Sequence, residues 1–186
     1  MRIGSGTGAT VREASATSMD RGQEVPTIAL ARPPGPAESA RRMSGGYQLI
    51  QLKNGSWSVR SIAEGETFHP VVGPVAEAEA LYVRQLRLAD RAAGSGEPLV
   101  LWDIGLGAAA NVLTALRALR ETARRVEVVS FDHTLAPLEF ALANATALGY
   151  VEGFELAIQT LLEQRSVEFS QGPLTVSWRV VEGDFP

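Results

Sequence analysis

Apolar and polar positions along the chain follow two different periods. Short runs rich in β-branched residues alternate with longer stretches in which apolar residues recur at helical spacing. The runs at 99–103, 126–131 and 174–181 predict strands, and the stretches at 108–124, 136–148 and 154–164 predict helices. Strands that alternate with helices are typical of a parallel sheet with right-handed crossovers. We therefore predict an α/β domain whose sheet starts at Leu99.

Further elements are predicted before residue 99. Alternation at 47–61 surrounds Asn54-Gly55, a pair favoured in tight primed turns, and predicts a β-hairpin. After a loop at 61–73, Pro74 suits the first turn of a helix over residues 75–92. Residues 1–44 lack periodicity and are rich in Gly, Ser, Thr, Ala and Pro, which predicts a disordered leader. The predicted organisation is a leader at 1–44, a hairpin and helix at 45–98, and a partial sheet domain at 99–186.

Composition narrows the classes of function. The 186-residue chain has no cysteine and two histidines, so disulfides, cysteine nucleophiles and histidine-rich metal sites are excluded and we expect no metal. No apolar run approaches the roughly 18 residues of a membrane span, and the N-terminus lacks a signal-peptide core. We expect a cytoplasmic protein without a membrane partner. The net charge of −4 gives no support for nucleic-acid binding.

The junction between the first predicted strand and its helix carries the strongest candidate for a ligand site. Gly105 can adopt a positive φ, and the missing Cβ of Gly107 lets a ligand approach the backbone. The helix that starts near Ala108 directs its first N–H groups and its positive dipole end to the same point. Strand, glycine turn and helix together predict a Rossmann-type nucleotide site. Asn111, in the first helical turn, reaches the ligand or caps the helix backbone.

Acids end all three predicted parallel strands. Asp103 can accept a hydrogen bond from an amine or from the turn backbone. Asp132 ends the second strand, where a carboxylate commonly accepts both ribose hydroxyls of an adenosine. Asp184 follows the third strand and can accept from an adenine amino group or end a simple turn. His133 could cover the adenine edge, or be a surface turn residue.

The loop before the long helix contributes two more candidates, Glu66 and His69. His69 is either an acid–base group, a substrate contact or a partner of the local backbone. No Ser-His-Asp order and no P-loop lysine is present, so the sequence makes no case for a hydrolase or a phosphate-transfer enzyme. It assigns no catalytic residue.

The segment 103–113, DIGLGAAANVL, resembles the first motif of class I S-adenosylmethionine-dependent methyltransferases. More narrowly, it is similar to that of the MnmC-like family, which methylates the aminomethyl group on tRNA wobble uridine. Asp103, Gly105, Gly107 and Asn111 match that family's motif, while alanines replace its threonine and third glycine. Residues 130–132 and 183–184 resemble its second and third acidic motifs, and residues 66–70 resemble part of its N-terminal portion.

This resemblance implies a Rossmann-like class I methyltransferase sheet, with its N-terminal half alone in this chain, preceded by the hairpin and helix. It implies S-adenosylmethionine as cofactor, with the methionine part at Gly105 and Gly107, the ribose at Asp132 and the adenine at Asp184. It also implies a tRNA partner, which the residues themselves do not indicate. The family's next motif would fall beyond Pro186, and the strand at 99–103 would be an apolar edge. We expect a partner or a further C-terminal segment to cover that edge.

Two other functions fit the same residues. Gly105-x-Gly107-x-x-Ala110 satisfies the looser dinucleotide fingerprint, and Asp132 suits NAD, so an NAD(P)-dependent oxidoreductase is the first alternative. A non-catalytic methyltransferase fragment is the second, because only half of a doubly wound sheet is predicted. The acid before the first glycine and the Gly-Asp pair after the third strand favour the methyltransferase.

Overall fold

The structure is a computed structural model that describes residues 43–93, 96–122 and 124–183. They all fall within one compact unit, residues 34–186. The predicted leader therefore lies outside the described residues, apart from its last two, Met43 and Ser44. Asp184 also lies outside them. No helix in the described part of the chain is long and apolar enough to cross a membrane.

The first sheet confirms the predicted hairpin. It is antiparallel, in the order β1-β2-β3, with strands at Met43–Ser44, Tyr47–Gln51 and Trp57–Ser61. The inward residues Leu49 and Val59 are paired and buried. Gly55 has φ 85° and donates its N–H to the carbonyl of Leu52 at 2.9 Å. The five residues between the strands form a longer connection than the tight turn predicted for Asn54-Gly55.

The prediction of a single helix over residues 75–92 is wrong. The segment forms α1, a π-helical stretch and α2, at Pro74–Ala78, Glu79–Arg84 and Leu88–Ala92. Arg87 breaks the run because its backbone is left-handed, with φ 52°. A left-handed residue cannot continue the helical hydrogen-bond ladder. Neither glycine nor proline marks this break in the sequence, so the pattern of apolar residues did not reveal it.

The second sheet contains the three predicted parallel strands, β4, β5 and β7. Its order is β4-β5-β7-β6, and the strands span Leu99–Ile104, Arg125–Asp132, Leu174–Glu182 and, for β6, Ser166–Gln171. β6 pairs antiparallel with β7 and was not predicted. Its inward face carries just two apolar residues, Val167 and Phe169, which is too short a pattern to recognise. The parallel, α/β part of the prediction is confirmed.

Helices pack on one face of this sheet to form the core. α3, α4, α5 and α6 span Ala110–Leu119, Ala136–Ala143, Ala145–Leu148 and Glu155–Gln164. Leu113, Leu116 and Ile158 from these helices are fully buried together with Val126 and Trp178 from the strands. α3 is shorter than the predicted 108–124. The predicted 136–148 helix is interrupted at Asn144, whose side-chain amide donates to the carbonyl of Phe140 at 2.8 Å.

One face of β4 carries large apolar side chains that are exposed. Trp102 lies inside β4, where an apolar side chain of a parallel sheet is expected to join the core, yet 65% of the residue is exposed. Val100 and Ile104, on the same face of β4, are 50% and 59% exposed. β4 is the first strand in the sheet order, so a strand covers it on one side only within the described residues. The predicted apolar edge at this strand is confirmed.

Candidate functional site

The glycine turn lies where β4 ends, against the carboxyl end of β5. Gly105 has φ 80° and donates its N–H to the carbonyl of Phe131 at 2.9 Å, which fixes the turn to the neighbouring strand. A Cβ built on Gly105 would meet no atom within 4 Å. The positive φ explains why glycine is required here, and the open space leaves the backbone accessible to a ligand.

The second glycine of the turn is covered by an aromatic side chain. Gly107 has φ 51°, and a Cβ built on it would lie 3.4 Å from Cε2 of Phe68. Phe68 follows β3 and is held by a hydrogen bond from its N–H to the carbonyl of Val59 at 2.8 Å. Its ring lies 6.4 Å from that of Tyr47, measured between centroids. The loop after the first sheet thus places the Phe68 ring over the turn, with the Tyr47 ring packed against it.

The start of α3 lacks a side-chain cap. Ala109, the N-cap residue, has φ 61°, and its side chain offers no acceptor to the first helical N–H groups. Asn111 lies in this first turn, and its Oδ1 is buried with no hydrogen-bond partner among the described residues. The sequence allowed Asn111 to cap the helix or to reach a ligand. In the structure this oxygen does not cap the helix and accepts no hydrogen bond from the described residues. It can therefore still accept a hydrogen bond from a ligand.

Asp132 points toward the turn. Its Oδ2 accepts a hydrogen bond from the N–H of Gly107 at 2.7 Å, and its Oδ1 accepts one from the N–H of Thr134 at 3.3 Å. His133 Nδ1 lies 3.1 Å from the same Oδ1, although the His133 side chain is 80% exposed. Two carboxylate oxygens have about four acceptor positions, so further donors can still bind. Asp132 therefore stabilises the turn and retains acceptor positions for a ligand.

Asp103 lies on the inward face of β4. Its Oδ2 accepts a hydrogen bond from the hydroxyl of Ser130 at 2.8 Å, and that hydroxyl accepts one from Trp178 Nε1 at 2.9 Å. Burial raises the pKa of Asp103 to about 6; the Ser130 hydrogen bond opposes the rise and the charge of Asp132 adds to it. The carboxyl group therefore titrates close to neutral pH. Ser130 is a polar residue in an apolar strand, which could have signalled a buried partner.

Tyr47 contributes a phenol near these acids. Burial raises its pKa, and the negative charges of Asp132 and Glu64 raise it further. The phenol therefore remains neutral at physiological pH and keeps its O–H as a donor. Sequence reasoning used Tyr47 only as a strand residue and missed its place beside the site, as it did for Phe68.

The two loop candidates differ in their surroundings. His69 lies next to Phe68, has φ 51°, and its Nδ1 is 3.0 Å from a carboxylate oxygen of Glu77 in α1. Glu66 is exposed, and its backbone carbonyl accepts a hydrogen bond from the N–H of Ser61 at 2.8 Å. Glu77 thus orients the His69 ring, whereas the Glu66 side chain is exposed to solvent.

The structure brings most of the predicted residues to one edge of the sheet. Asp103, Gly105, Gly107, Asp132 and His133 lie at the carboxyl ends of β4 and β5, and Asn111 follows in α3. Within the described ranges, no three His, Asp or Glu residues are grouped so that they could hold a metal ion.

Comparison with known proteins gives matches among solved structures alone. No protein-family model matches the chain, and none of the curated proteins matches it. Among solved structures, the crystal structure of MnmC2 from Aquifex aeolicus matches with a TM-score of 0.54 and 23% sequence identity. The match covers 76% of this chain and 44% of that one, so this chain spans less than half the length of its structural neighbour.

Over the part that is covered, the chain shares the fold of MnmC2. The Rossmann-like α/β sheet expected from the strand–glycine–helix pattern is thereby confirmed, as is the structural side of the MnmC-like resemblance. At 23% identity the match establishes the fold, and the function has to be argued from the residues at the site.

Proposed function

We propose that this chain binds S-adenosylmethionine and belongs to a methyltransferase that N-methylates an aminomethyl group of tRNA wobble uridine. The observation that carries the proposal is the open backbone at Gly105, beside two strand-end carboxylates, in a chain with the MnmC2 fold. The resemblance at residues 103–113 supports the cofactor and the acceptor.

The residues at the turn fit the chemical groups of this cofactor. Gly105 offers open backbone to the methionine part, and Asp132 lies where a ribose hydroxyl can donate to a carboxylate. Asp103 and the buried Oδ1 of Asn111 are acceptors that suit an amino group. When bound, S-adenosylmethionine supplies an electrophilic methyl group, and the amine of the acceptor supplies the electron pair. The chain's contribution is to orient both partners and to exclude water.

Two observations also support the alternative of a non-catalytic fragment. Phe68 covers Gly107, and Asp132 already accepts hydrogen bonds from the turn and from Thr134. A ligand at Gly107 would have to share that space with the Phe68 ring. The NAD(P)-dependent alternative uses the same open glycine and the same Asp132, so only a choice of ligand separates it from the methyltransferase.

The test is calorimetric titration of the full chain with S-adenosylhomocysteine and, separately, with NADH. We expect binding of S-adenosylhomocysteine alone, with at least about a tenfold loss of affinity in Asp132→Asn, because a hydrogen bond to a charged group contributes roughly 1.5–3 kcal/mol. Glu168→Gln, an exposed acid on β6, is the matched control and should bind as the unmodified chain does. Binding of NADH without S-adenosylhomocysteine would overturn the proposal.

A second measurement addresses the acceptor. Incubation of the full chain with radiolabelled S-adenosylmethionine and a tRNA that carries an aminomethyl uridine at the wobble position should transfer label to the tRNA. A tRNA with unmodified uridine at that position is the control. If S-adenosylhomocysteine binds but no label is transferred, cofactor binding stands and the chain by itself is not the tRNA methyltransferase.

A further inference from the structure

The pair formed by His69 and Glu77 has no part in the proposed cofactor site. His69 Nδ1 lies 3.0 Å from a carboxylate oxygen of Glu77, and the two side chains are 19% and 31% exposed. A carboxylate at this distance accepts the N–H of Nδ1, so the neutral ring keeps its lone pair on Nε2. Within the described ranges, Nε2 has no hydrogen-bond partner. The imidazole is thus oriented on one side and able to accept a proton on the other.

This pair adjoins the glycine turn. His69 directly follows Phe68, whose Cε2 would lie 3.4 Å from a Cβ built on Gly107. Consecutive Cα atoms are about 3.8 Å apart, so the His69 backbone lies beside the residue that covers the turn. Glu77 belongs to α1, which packs against α3, the helix that begins just after the turn. Both members of the pair therefore belong to segments that meet at the proposed cofactor site.

Other hydrogen bonds already hold the loop around His69. The N–H of Phe68 donates to the carbonyl of Val59 at 2.8 Å, and the carbonyl of Phe68 accepts a hydrogen bond from the hydroxyl of the buried Ser58. His69 itself has φ 51°, a left-handed backbone that residues other than glycine rarely adopt. Residues in such conformations are concentrated at functional sites, where the surrounding structure holds them. Stability of the loop alone does not explain the oriented imidazole.

Methyl transfer to an amine requires a base. An aliphatic amine has a pKa of about 10, so at neutral pH its nitrogen is protonated and has no free electron pair. Both strand-end carboxylates already accept hydrogen bonds from the protein, Asp132 from the turn and Asp103 from Ser130. Of the two imidazoles of the chain, that of His133 is 80% exposed and lies against Asp132. The ring of His69 is the more buried one, and its Nε2 is open to a donor.

We propose that Nε2 of His69 is the general base that removes a proton from the ammonium group of the acceptor, with Glu77 as its positioning residue. The proton moves from the ammonium nitrogen to Nε2, and the carboxylate of Glu77 stabilises the imidazolium that forms. The freed electron pair on nitrogen forms the bond to the methyl carbon while the bond from that carbon to sulfur breaks, and its electron pair stays on sulfur. His69 then releases the proton to water. This inference rests on the proposed function and restricts its acceptor to an amine that is protonated at neutral pH.

Nuclear magnetic resonance of the imidazole rings tests the proposal without any turnover. The chain has two histidines, so isotopically labelled histidine gives two ring signals, which His133→Gln assigns. The probe is 5-aminomethyluridine, added to the full chain with saturating S-adenosylhomocysteine, and its control is 5-hydroxymethyluridine, which lacks the charge. We expect the amine to shift the Nε2 signal of His69 saturably and the alcohol to bind at least about tenfold more weakly. No change at His69, or equal changes with both nucleosides, would overturn the proposal.

Rates of methyl transfer to the aminomethyl tRNA give a second readout. His69→Gln should lower the rate at least about a hundredfold, because general bases contribute roughly 10²–10⁴-fold, while the affinity for S-adenosylhomocysteine stays within about twofold. Added imidazole should raise the rate of His69→Gly at least about tenfold, a recovery that a purely structural role would not give. Glu168→Gln, the exposed acid on β6, is the control and should transfer at the unmodified rate. A rate within about threefold of the unmodified chain in His69→Gln would contradict the assignment.

Glu77 variants test the positioning role. An amide stabilises the imidazolium less than a carboxylate does, so Glu77→Gln should lower the rate about tenfold, and Glu77→Asp, which keeps the charge, should stay within about threefold. Equal rates in Glu77→Gln and the unmodified chain would remove Glu77 from the proposal.

The ring signals distinguish the two possible failures, whether or not label is transferred. If S-adenosylhomocysteine does not bind to the unmodified chain, the proposed function and this inference both fail. If it binds and the His69 signal does not respond to the amine, this inference alone fails.

Discussion

β7 and β4 are parallel strands of one sheet, each with a tryptophan inside it, yet their side chains have opposite environments. Trp178 in β7 is fully buried, whereas Trp102 in β4 is 65% exposed. β7 lies between β5 and β6, while β4 has a described neighbour on one side. The two strands therefore show that the composition of a strand does not determine its burial; its position in the sheet does.

The largest expected difference between these strands is in stability. Trp178→Ala should lower the free energy of unfolding by about 4 kcal/mol, because it leaves a cavity in the core, while Trp102→Ala should lower it by about 1 kcal/mol, mainly through the lost ring contact with Phe131. Urea unfolding followed by circular dichroism measures both. Equal losses would mean that β4 is covered in solution as well as β7 is.

The free energy of unfolding should depend on pH through Asp103, on the inward face of β4. Asp103 has a folded-state pKa of about 6, above its ordinary value of 3.8, so the folded chain binds this proton more tightly than the unfolded chain does. The stabilisation is complete below about pH 4 and is lost as the pH rises through about 6, a loss of about 3 kcal/mol. Urea midpoints between pH 4 and 7, compared with those of Asp103→Asn, should show this slope in the unmodified chain alone.

The control for that pH series is Glu168→Gln, which removes an exposed charge and leaves the interior unchanged. Its unfolding free energy should follow the unmodified chain at each pH. If Asp103→Asn also retains the slope, another group carries it, and the Asp103 carboxyl group is not its source.

The two glycines of the turn, Gly107 under the Phe68 ring and Gly105 in open space, should have smaller effects on stability. Gly105→Ala and Gly107→Ala should each cost about 1 kcal/mol of stability, because both backbones have positive φ. The 3.4 Å contact to Phe68 adds little at Gly107, since it is an ordinary van der Waals distance. Gly96→Ala is the matched control without positive φ and should cost about zero. A cost of several kcal/mol at Gly107 would mean that the Phe68 ring cannot adjust.

The smallest expected effect concerns the loop that covers the turn. Glu77→Gln removes the charge that faces His69 across 3.0 Å, in a pair whose side chains are 19% and 31% exposed. Solvent screening limits the loss of stability to about 0.5 kcal/mol. Thermal unfolding at neutral pH checks this value. A loss above about 2 kcal/mol would show that the loop is fixed by this pair and not by the backbone bond of Phe68.

The sequence predicted the elements with clear periodicity and missed those that depend on distant contacts. The three parallel strands and the hairpin could be recognised, because apolar period and Asn-Gly turns are local signals. The break at Arg87 and the antiparallel strand β6 could not, because a left-handed arginine and a strand with two inward apolar residues lack a local signature. Phe68 became visible as a site residue only when the first sheet was placed over Gly107.

By itself, the sequence determined that a glycine turn with positive φ follows an acid-ended strand and opens a helix, because only glycine adopts that backbone without strain. It also determined which strand ends carry carboxylates. The tertiary structure decided which of these groups meet: Asp132 bonds to Gly107, the half-buried Asp103 bonds to Ser130, and β4 lies at an edge of the sheet. Burial, pKa and exposure depend on neighbours that are distant in sequence, and a local pattern does not contain them.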